Sequence, residues 1–434
     1  MTSRPTIAIV GGGIGGLCLA IGLSKHSHLL HVAVYEAAPA FTEIGAGVAF
    51  GPNAQRALRL ISPAAEQAFH AQRTPNLTPG FERTWFDFHC GVQGPRYGEQ
   101  LGKVENQTGQ QTAHRARFLD ELARLVPPEI AHYGKRLVEI VEGSNGGDGD
   151  GTGDEGRVVL RFADGTTAMA DCVIGADGVH SIVRKYLLRS PEHQHLAKPA
   201  FSGSQAYRGI VPMDVAREKL GLVANDSHSW VGDGGVVINY PIDFGRLLNV
   251  VAVRIGKERW EYDTSVVKAS REEARREFAH WGEVPQKMID LLTEPWLYAV
   301  LHHHPAPFYY TGRVAMMGDS AHAMTPSEGQ GAAQAIEDAL VLTTLLGRVK
   351  TAADIEPVLA AYDAVRRPRS QRVVETSQEC MVVFSFRDGV VNGDRDKWRE
   401  LWRERMNWIW DVDLEAQNRE ALMVLDKLRA VNGR

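Results

Sequence analysis

The sequence predicts an α/β protein: a Rossmann-type nucleotide-binding unit, a second mixed β-sheet and a C-terminal set of helices. Three observations carry this. Gly11-Gly-Gly-Ile-Gly-Gly16 lies between a short β-branched run, residues 6–10, and a helical stretch, residues 17–25, and a second apolar run at 32–35 ends in Glu36. Between about residues 201 and 300 the apolar runs lengthen, at 205–211, 229–231, 236–240 and 247–255, as in a separate, mostly antiparallel sheet. Helical periodicity then takes over at 332–346, 355–377 and 397–428.

Composition narrows the function classes. A chain of 434 residues is enzyme-sized and long enough for more than one core. Its net charge of −5 provides no basic field for nucleic acid or anionic lipid, so a small molecule is the expected partner. Cys18, Cys90, Cys172 and Cys380 lie far apart and form no CxxC pair, which argues against a zinc site or disulfide framework and for a reducing, cytoplasmic compartment. The run at 6–10 is far too short for a signal-peptide core or a membrane span. Alternation at 158–162 and 167–170 reads as a hairpin, residues 172–174 as a buried strand, and the wholly polar and glycine-rich stretch 144–153 as a mobile surface loop. His302, His303 and His304 are adjacent on a strand, where neighbours point to opposite faces, and no metal site is expected from them.

The glycine motif has a mechanism. Gly11, Gly13 and Gly16 form GxGxxG, which lets the backbone turn tightly and approach a pyrophosphate at a helix N-terminus. Glu36, twenty positions after Gly16, is placed to accept a hydrogen bond from an adenosine ribose hydroxyl. This pattern alone does not separate NAD from FAD.

Two further segments each set a buried strand before an acidic turn. They are Cys172-Val-Ile-Gly-Ala-Asp-Gly-Val-His-Ser181, continuing to Arg184, and Gly312-Arg-Val-Ala-Met-Met-Gly-Asp-Ser-Ala-His322. With GxGxxG, the chain here resembles the class A, single-component FAD-dependent aromatic monooxygenases, the family of para-hydroxybenzoate and salicylate hydroxylases. The resemblance runs nearly the whole length, through Gly45-Ala-Gly-Val-Ala-Phe-Gly-Pro-Asn-Ala54, His114-Arg-Ala116, Tyr207-Arg-Gly209 and Arg405-Met-Asn-Trp-Ile-Trp410. Within the family it is most similar to salicylate hydroxylases and to fungal enzymes that hydroxylate and dearomatise polyketide phenols.

The resemblance implies roles for named residues. Asp319 would hydrogen-bond a ribityl hydroxyl of FAD, and Arg115 would face the ribityl and phosphate region. The competing reading of Arg115 is a solvated cation at a helix start, and the family usually has Asp where this chain has Arg117. Asp177 with Gly178 would serve FAD and the transient nicotinamide donor; an ordinary Asp-Gly turn is the alternative. Gly329, Gly331 and Ala332 open a helix whose backbone NH groups would point at the flavin pyrimidine ring, where its positive end stabilises the reduced anion.

The implied chemistry is hydroxylation of a phenol with O2 and NADPH or NADH, the flavin taking hydride at N5 and activating oxygen at C4a. The protein must then favour the ionised phenol and exclude water. Arg208 is the candidate to stabilise a phenolate or carboxylate and Tyr240 to orient the ring oxygen, with a surface Arg beside a strand aromatic as the ordinary alternative. Salicylate hydroxylases tend to carry Phe where Tyr240 falls, and the dearomatising enzymes Tyr, which tilts the expected substrate towards an orcinaldehyde-like polyketide phenol over a salicylate that would be decarboxylated to a catechol. His322, three residues after Asp319, is a candidate proton relay or a packed core histidine. The implied layout places FAD-binding segments at 1–75, 111–190 and 306–350, a mixed-sheet substrate domain at 76–110 and 191–305, and helices at 351–434, in a monomer or homodimer. Trp408, Trp410 and Met406 read as helix packing. A non-catalytic binding protein on the same fold is the rival from another class.

Overall fold

The computed structural model describes residues 4–40, 47–142, 156–387, 391 and 394–431. The polar stretch 144–153 and residues 45–46 of the motif beginning at Gly45 lie outside the described residues.

The first sheet is built on the buried strand Thr6–Val10, which pairs in parallel with Cys172–Gly175 on one side and His31–Tyr35 on the other. Val314–Met316 continues the sheet in parallel beyond Cys172–Gly175, and Tyr310–Thr311 and Ala131–His132 close its edges. Helix Ile14–Ser24 is buried on nearly every face, consistent with its weakly amphipathic sequence. It packs on the 16-residue helix Gly331–Leu346 at unusually close range. A Cβ at Gly22 would stand 2.2 Å from Thr343 Oγ1 and one at Gly15 3.0 Å from Ala335 Cβ, so two glycines set this approach. The hairpin Val158–Phe162 and Thr167–Ala170 forms as the alternation predicts and gains a third strand, Leu137–Glu142.

The second sheet has eight strands, in the order Val266–Lys268, Trp296–His302, Ala200–Pro212, Leu247–Ile255, Gly235–Ile242, His228–Gly232, Thr84–Cys90 and Gln100–Glu105. All neighbours are antiparallel except His228–Gly232 with Thr84–Cys90, so the sheet is mixed. Two of the C-terminal helices, Ile355–Phe384 at its far end and Arg395–Trp410, pack on it, while Leu414–Val431 packs on Ile355–Phe384 and Gly331–Leu346 in the core of the first sheet. Ile355–Phe384 is one 30-residue helix that continues through Pro368. The periodic stretch 397–428 is two helices, Arg395–Trp410 and Leu414–Val431. The break falls where Asp413 Oδ1 accepts from the backbone N of Ala416 at 2.8 Å, an N-cap that starts the second helix afresh. Trp410 and Met406 are buried with Trp398 and Trp402 in the core beneath the second sheet, and Trp408 packs against it, as expected of packing residues.

Candidate active site

A cavity of about 470 Å³ runs between the two sheets, and the glycine and acid turns border it. Each glycine of GxGxxG does a different thing there. Gly11 has φ +107° and a Cβ on it would stand 2.3 Å from the Ala176 carbonyl oxygen. A Cβ on Gly16 would stand 2.1 Å from the Gly11 oxygen. These two positions draw the first turn tight and hold it against the second motif. Gly13 meets nothing within 4 Å and lines the cavity, leaving its backbone open to a phosphate at the N-terminus of Ile14–Ser24. Glu36 sits at the same turn, its two oxygens accepting from the backbone N of Gly12 and of Ala38, each at 2.7 Å.

Asp319, exposed, lines the same cavity as Gly13 and Gly16, with Gly318 and Met317 beside it. Gly329, with φ +67°, turns the chain into Gly331–Leu346, and Gly329, Gly331 and Ala332 all border the cavity, so the positive end of this helix faces it. Arg115, the first residue of helix Arg115–Ala123, lines it as well. A nucleotide reaching from Gly13 to Asp319 therefore meets open glycine backbone at its phosphates, an acid at the sugar end and a helix N-terminus at the ring. These residues fit FAD.

Two predicted residues are placed differently. The carboxylate of Asp177 turns away to cap the next helix, Ile182–Leu187, accepting from Ser181 Oγ at 2.5 Å and from the backbone N of Ile182 and Val183 at 2.7 and 3.1 Å; its neighbours Ala176 and Gly178 are the ones that line the cavity. His322 is 1% exposed and does not line the cavity. Its Nε2 lies 2.6 Å from Asp338 Oδ2, which also accepts from the backbone N of Gly318 at 2.9 Å. The expectation of a proton relay is corrected accordingly: His322 is a core histidine that braces the acidic turn through Asp338. His302 Nδ1 is bonded to Gln378 Nε2.

Arg184 links the second and third motifs. Fully buried, it donates to the carbonyls of Leu196, Ser320, Ala321 and His304 at 2.9 to 3.2 Å, and burial lowers its pKa to about 10. Four guanidinium N–H groups spent on carbonyls, two of them on Ser320 and Ala321, fix the turn that presents Asp319.

At the other end of the cavity the second sheet supplies Arg208 and Tyr240 together. Tyr240 is 8% exposed, and its hydroxyl donates to the Gly47 carbonyl at 3.2 Å. Burial pushes its pKa up, and the Arg208 guanidinium beside it pulls the other way. A Cβ on Gly47 would stand 2.4 Å from the Tyr240 ring, so this glycine makes room for the phenol. Arg208 also lies over the Tyr298 ring, 5.6 Å from its centroid. Phe86, Ile238, Met381 and Phe384 complete apolar walls. The sequence reading did not pick out Phe86, Met381 or Phe384 as cavity residues, because they come from a strand and a helix far from every motif.

Comparison with known proteins agrees with this geometry. Residues 267–377 match the model of the FAD binding domain. The chain is 54% identical to 6-methylsalicylate 1-monooxygenase of Aspergillus terreus over 97% of its own length and 92% of that protein's. It is 39% identical to a salicylate hydroxylase of Pseudomonas putida, covering 96% and 93% of the two chains. A salicylate hydroxylase solved as a substrate complex superposes with a TM-score of 0.84 at 34% identity, covering 96% of this chain and 98% of that one. The chain belongs to the class A FAD-dependent aromatic monooxygenases. Within that class it is closely related to 6-methylsalicylate 1-monooxygenase and the salicylate hydroxylases, and FAD is its cofactor, with NAD(P)H the usual electron donor of these enzymes.

Proposed function

We propose that the chain hydroxylates a 2-hydroxybenzoate, a salicylate carrying a small alkyl group, at the carbon bearing the carboxylate. The observation that carries this is the pairing of Arg208 with Tyr240 inside apolar walls, one cation and one phenol side by side. A salicylate presents a carboxylate next to a phenol. Arg208 matches the first by charge-assisted hydrogen bonding, and Tyr240, whose proton is committed to Gly47, keeps its oxygen to accept from the second. The 54% identity to a 6-methylsalicylate 1-monooxygenase supports the same substrate class.

Gly13, Arg115, Asp319 and Gly329 to Ala332 would hold FAD, with Glu36 at the adenosine ribose. When bound, FAD supplies hydride acceptance and oxygen activation. The chain's own residues do the rest. Arg208 steadies the substrate anion, Tyr240 fixes the ring's angle, and Phe86, Met381 and Phe384 keep water out. The helix end at Gly331 would favour negative charge on FAD held in the cavity. The step balances as 2-hydroxybenzoate, NAD(P)H, O2 and two protons giving a catechol, CO2, NAD(P)+ and water.

Tyr240 favours a second reading, dearomatising hydroxylation of a polyketide phenol without loss of CO2. Mass spectrometry after incubation with 6-methylsalicylate and with 2,4-dihydroxybenzaldehyde separates the two. A gain of oxygen with loss of CO2 from the acid is expected; oxygen gain on the aldehyde alone, giving a non-aromatic product, would replace the first reading with the second.

A further inference from the structure

The face of the second sheet away from the FAD cavity carries a group of ligand-type side chains that the hydroxylation leaves unused. Strands Thr84–Cys90 and His228–Gly232 run parallel with His228 opposite Asp87 and Trp230 opposite His89. Asp87 and His89, two apart, share a face, and the register brings His228 to them. One ring nitrogen of each histidine and one oxygen of Asp87 all lie within 4.8 Å of one another. None of the three borders the cavity that Trp85 and Phe86, on the same strand, help to line.

This cluster is poorly satisfied as a purely internal one. His228 is 8% exposed and its Nδ1 has no hydrogen-bond partner, while His89 Nε2 meets Asp87 Oδ2 only at a long 3.4 Å. An orphaned imidazole nitrogen beside a loosely paired, buried carboxylate is costly unless something sits between them. The surroundings look like a supporting shell. Gln100 Nε2 donates to Asp87 Oδ1 at 2.8 Å, fixing the carboxylate, and the Trp230 ring stacks on His89 at 4.7 Å. The nearby Lys103 ammonium is drawn over the Phe81 ring, 3.6 Å from its centroid.

We propose that Asp87, His89 and His228 bind a divalent transition cation of the zinc class, with two nitrogens and one oxygen from the chain and water in the fourth position. The donor set is that of a borderline cation and not of Ca²⁺ or Mg²⁺, which take oxygen. The ion would tie together the parallel strand pair of this sheet and so hold the strand that carries Trp85 and Phe86 to the substrate end. Sequence spacing did not reveal it, since the third ligand comes from a strand far along the chain.

The test uses FAD-loaded full chain, stripped with chelator and titrated with Zn²⁺ and separately with Co²⁺. Expected are one Zn²⁺ per chain by elemental analysis and a visible ligand-field band with Co²⁺. His89→Ala and His228→Asn should each weaken binding at least ~10-fold while flavin content and circular dichroism stay unchanged, and His304→Ala should bind as the parent does. If His228→Asn loses flavin, His89→Ala, at the partly exposed ligand, decides. Sub-stoichiometric uptake, or equal affinity in His89→Ala, would overturn the site and leave a buried water as the occupant.

Discussion

Arg208 gains most of its meaning from where it stands. A half-buried guanidinium faces an apolar cavity beside a buried phenol, and under the proposed function its removal would leave the substrate anion without a partner. For Arg208→Ala we expect flavin to remain bound while kcat/KM for 6-methylsalicylate falls by about 2 kcal/mol or more, at least ~30-fold, in steady-state assays. Unchanged turnover would remove Arg208 from the site. Gly16 acts in the opposite way, by having no side chain. A Cβ there would meet the backbone oxygen of Gly11 at 2.1 Å, which nothing can relieve cheaply, so Gly16→Ala should yield a colourless protein on purification. Gly16 was legible in the sequence because the chemistry of a glycine turn depends on local spacing, whereas Arg208 was legible only through the family resemblance. Asp177 was half legible: Asp followed by Ser181 and an apolar run is also a helix-start signal, and the structure uses it so. For His322 the packed-histidine alternative holds, and its partner Asp338 was not legible because it lies on the next long helix, outside any motif.

Elements are fixed to one another by buried charge. On helix Ile355–Phe384, Arg366 is fully buried and donates to Asp338 Oδ1 and Glu337 Oε2 at 2.7 Å each, binding helix Gly331–Leu346, whose N-terminus faces the cavity, to the C-terminal layer. Removing it takes one buried cation from two carboxylates, leaving Asp338 to His322 and Glu337 to Arg369, and Arg366→Ala should cost about 3 kcal/mol, seen as a fall in apparent Tm with flavin release. Glu328 anchors the turn before the same helix. It accepts from Thr376 Oγ1 at 3.1 Å and Cys380 Sγ at 3.5 Å, with Arg405 at 3.6 Å. Burial pushes its pKa up from 4.5 to about 7, so folding favours the protonated acid. Its contribution is full below about pH 4.5 and lost as pH rises through about 7. In Glu328→Gln, Tm measured across that window should lose this downward slope; an identical slope would show that another group carries it. The strands were well read from alternation, because period-two patterns survive on a sheet with two different faces. The division of 397–428 into two helices was missed, since both halves keep one helical period and only the Asp413 cap interrupts them.

For the molecule as a whole, the site exists only where the two sheets and the C-terminal helices meet. The nucleotide end was legible from three motifs, each local in sequence. The substrate end was legible only for the two residues that the family resemblance pointed to. Phe86, Met381 and Phe384 are ordinary apolar residues whose role comes from long-range packing against the second sheet. Among the described residues no helix is long and apolar enough to cross a membrane. The central claim is that one cavity brings FAD and an aromatic anion into reach of each other for insertion of a single oxygen atom. Its most direct test is turnover of 6-methylsalicylate under heavy-isotope O2 with NAD(P)H. One labelled oxygen in the aromatic product for each CO2 released is expected, with accelerated NAD(P)H oxidation; an unlabelled product, or reducing equivalents all recovered as hydrogen peroxide, would rule out oxygen insertion at this site.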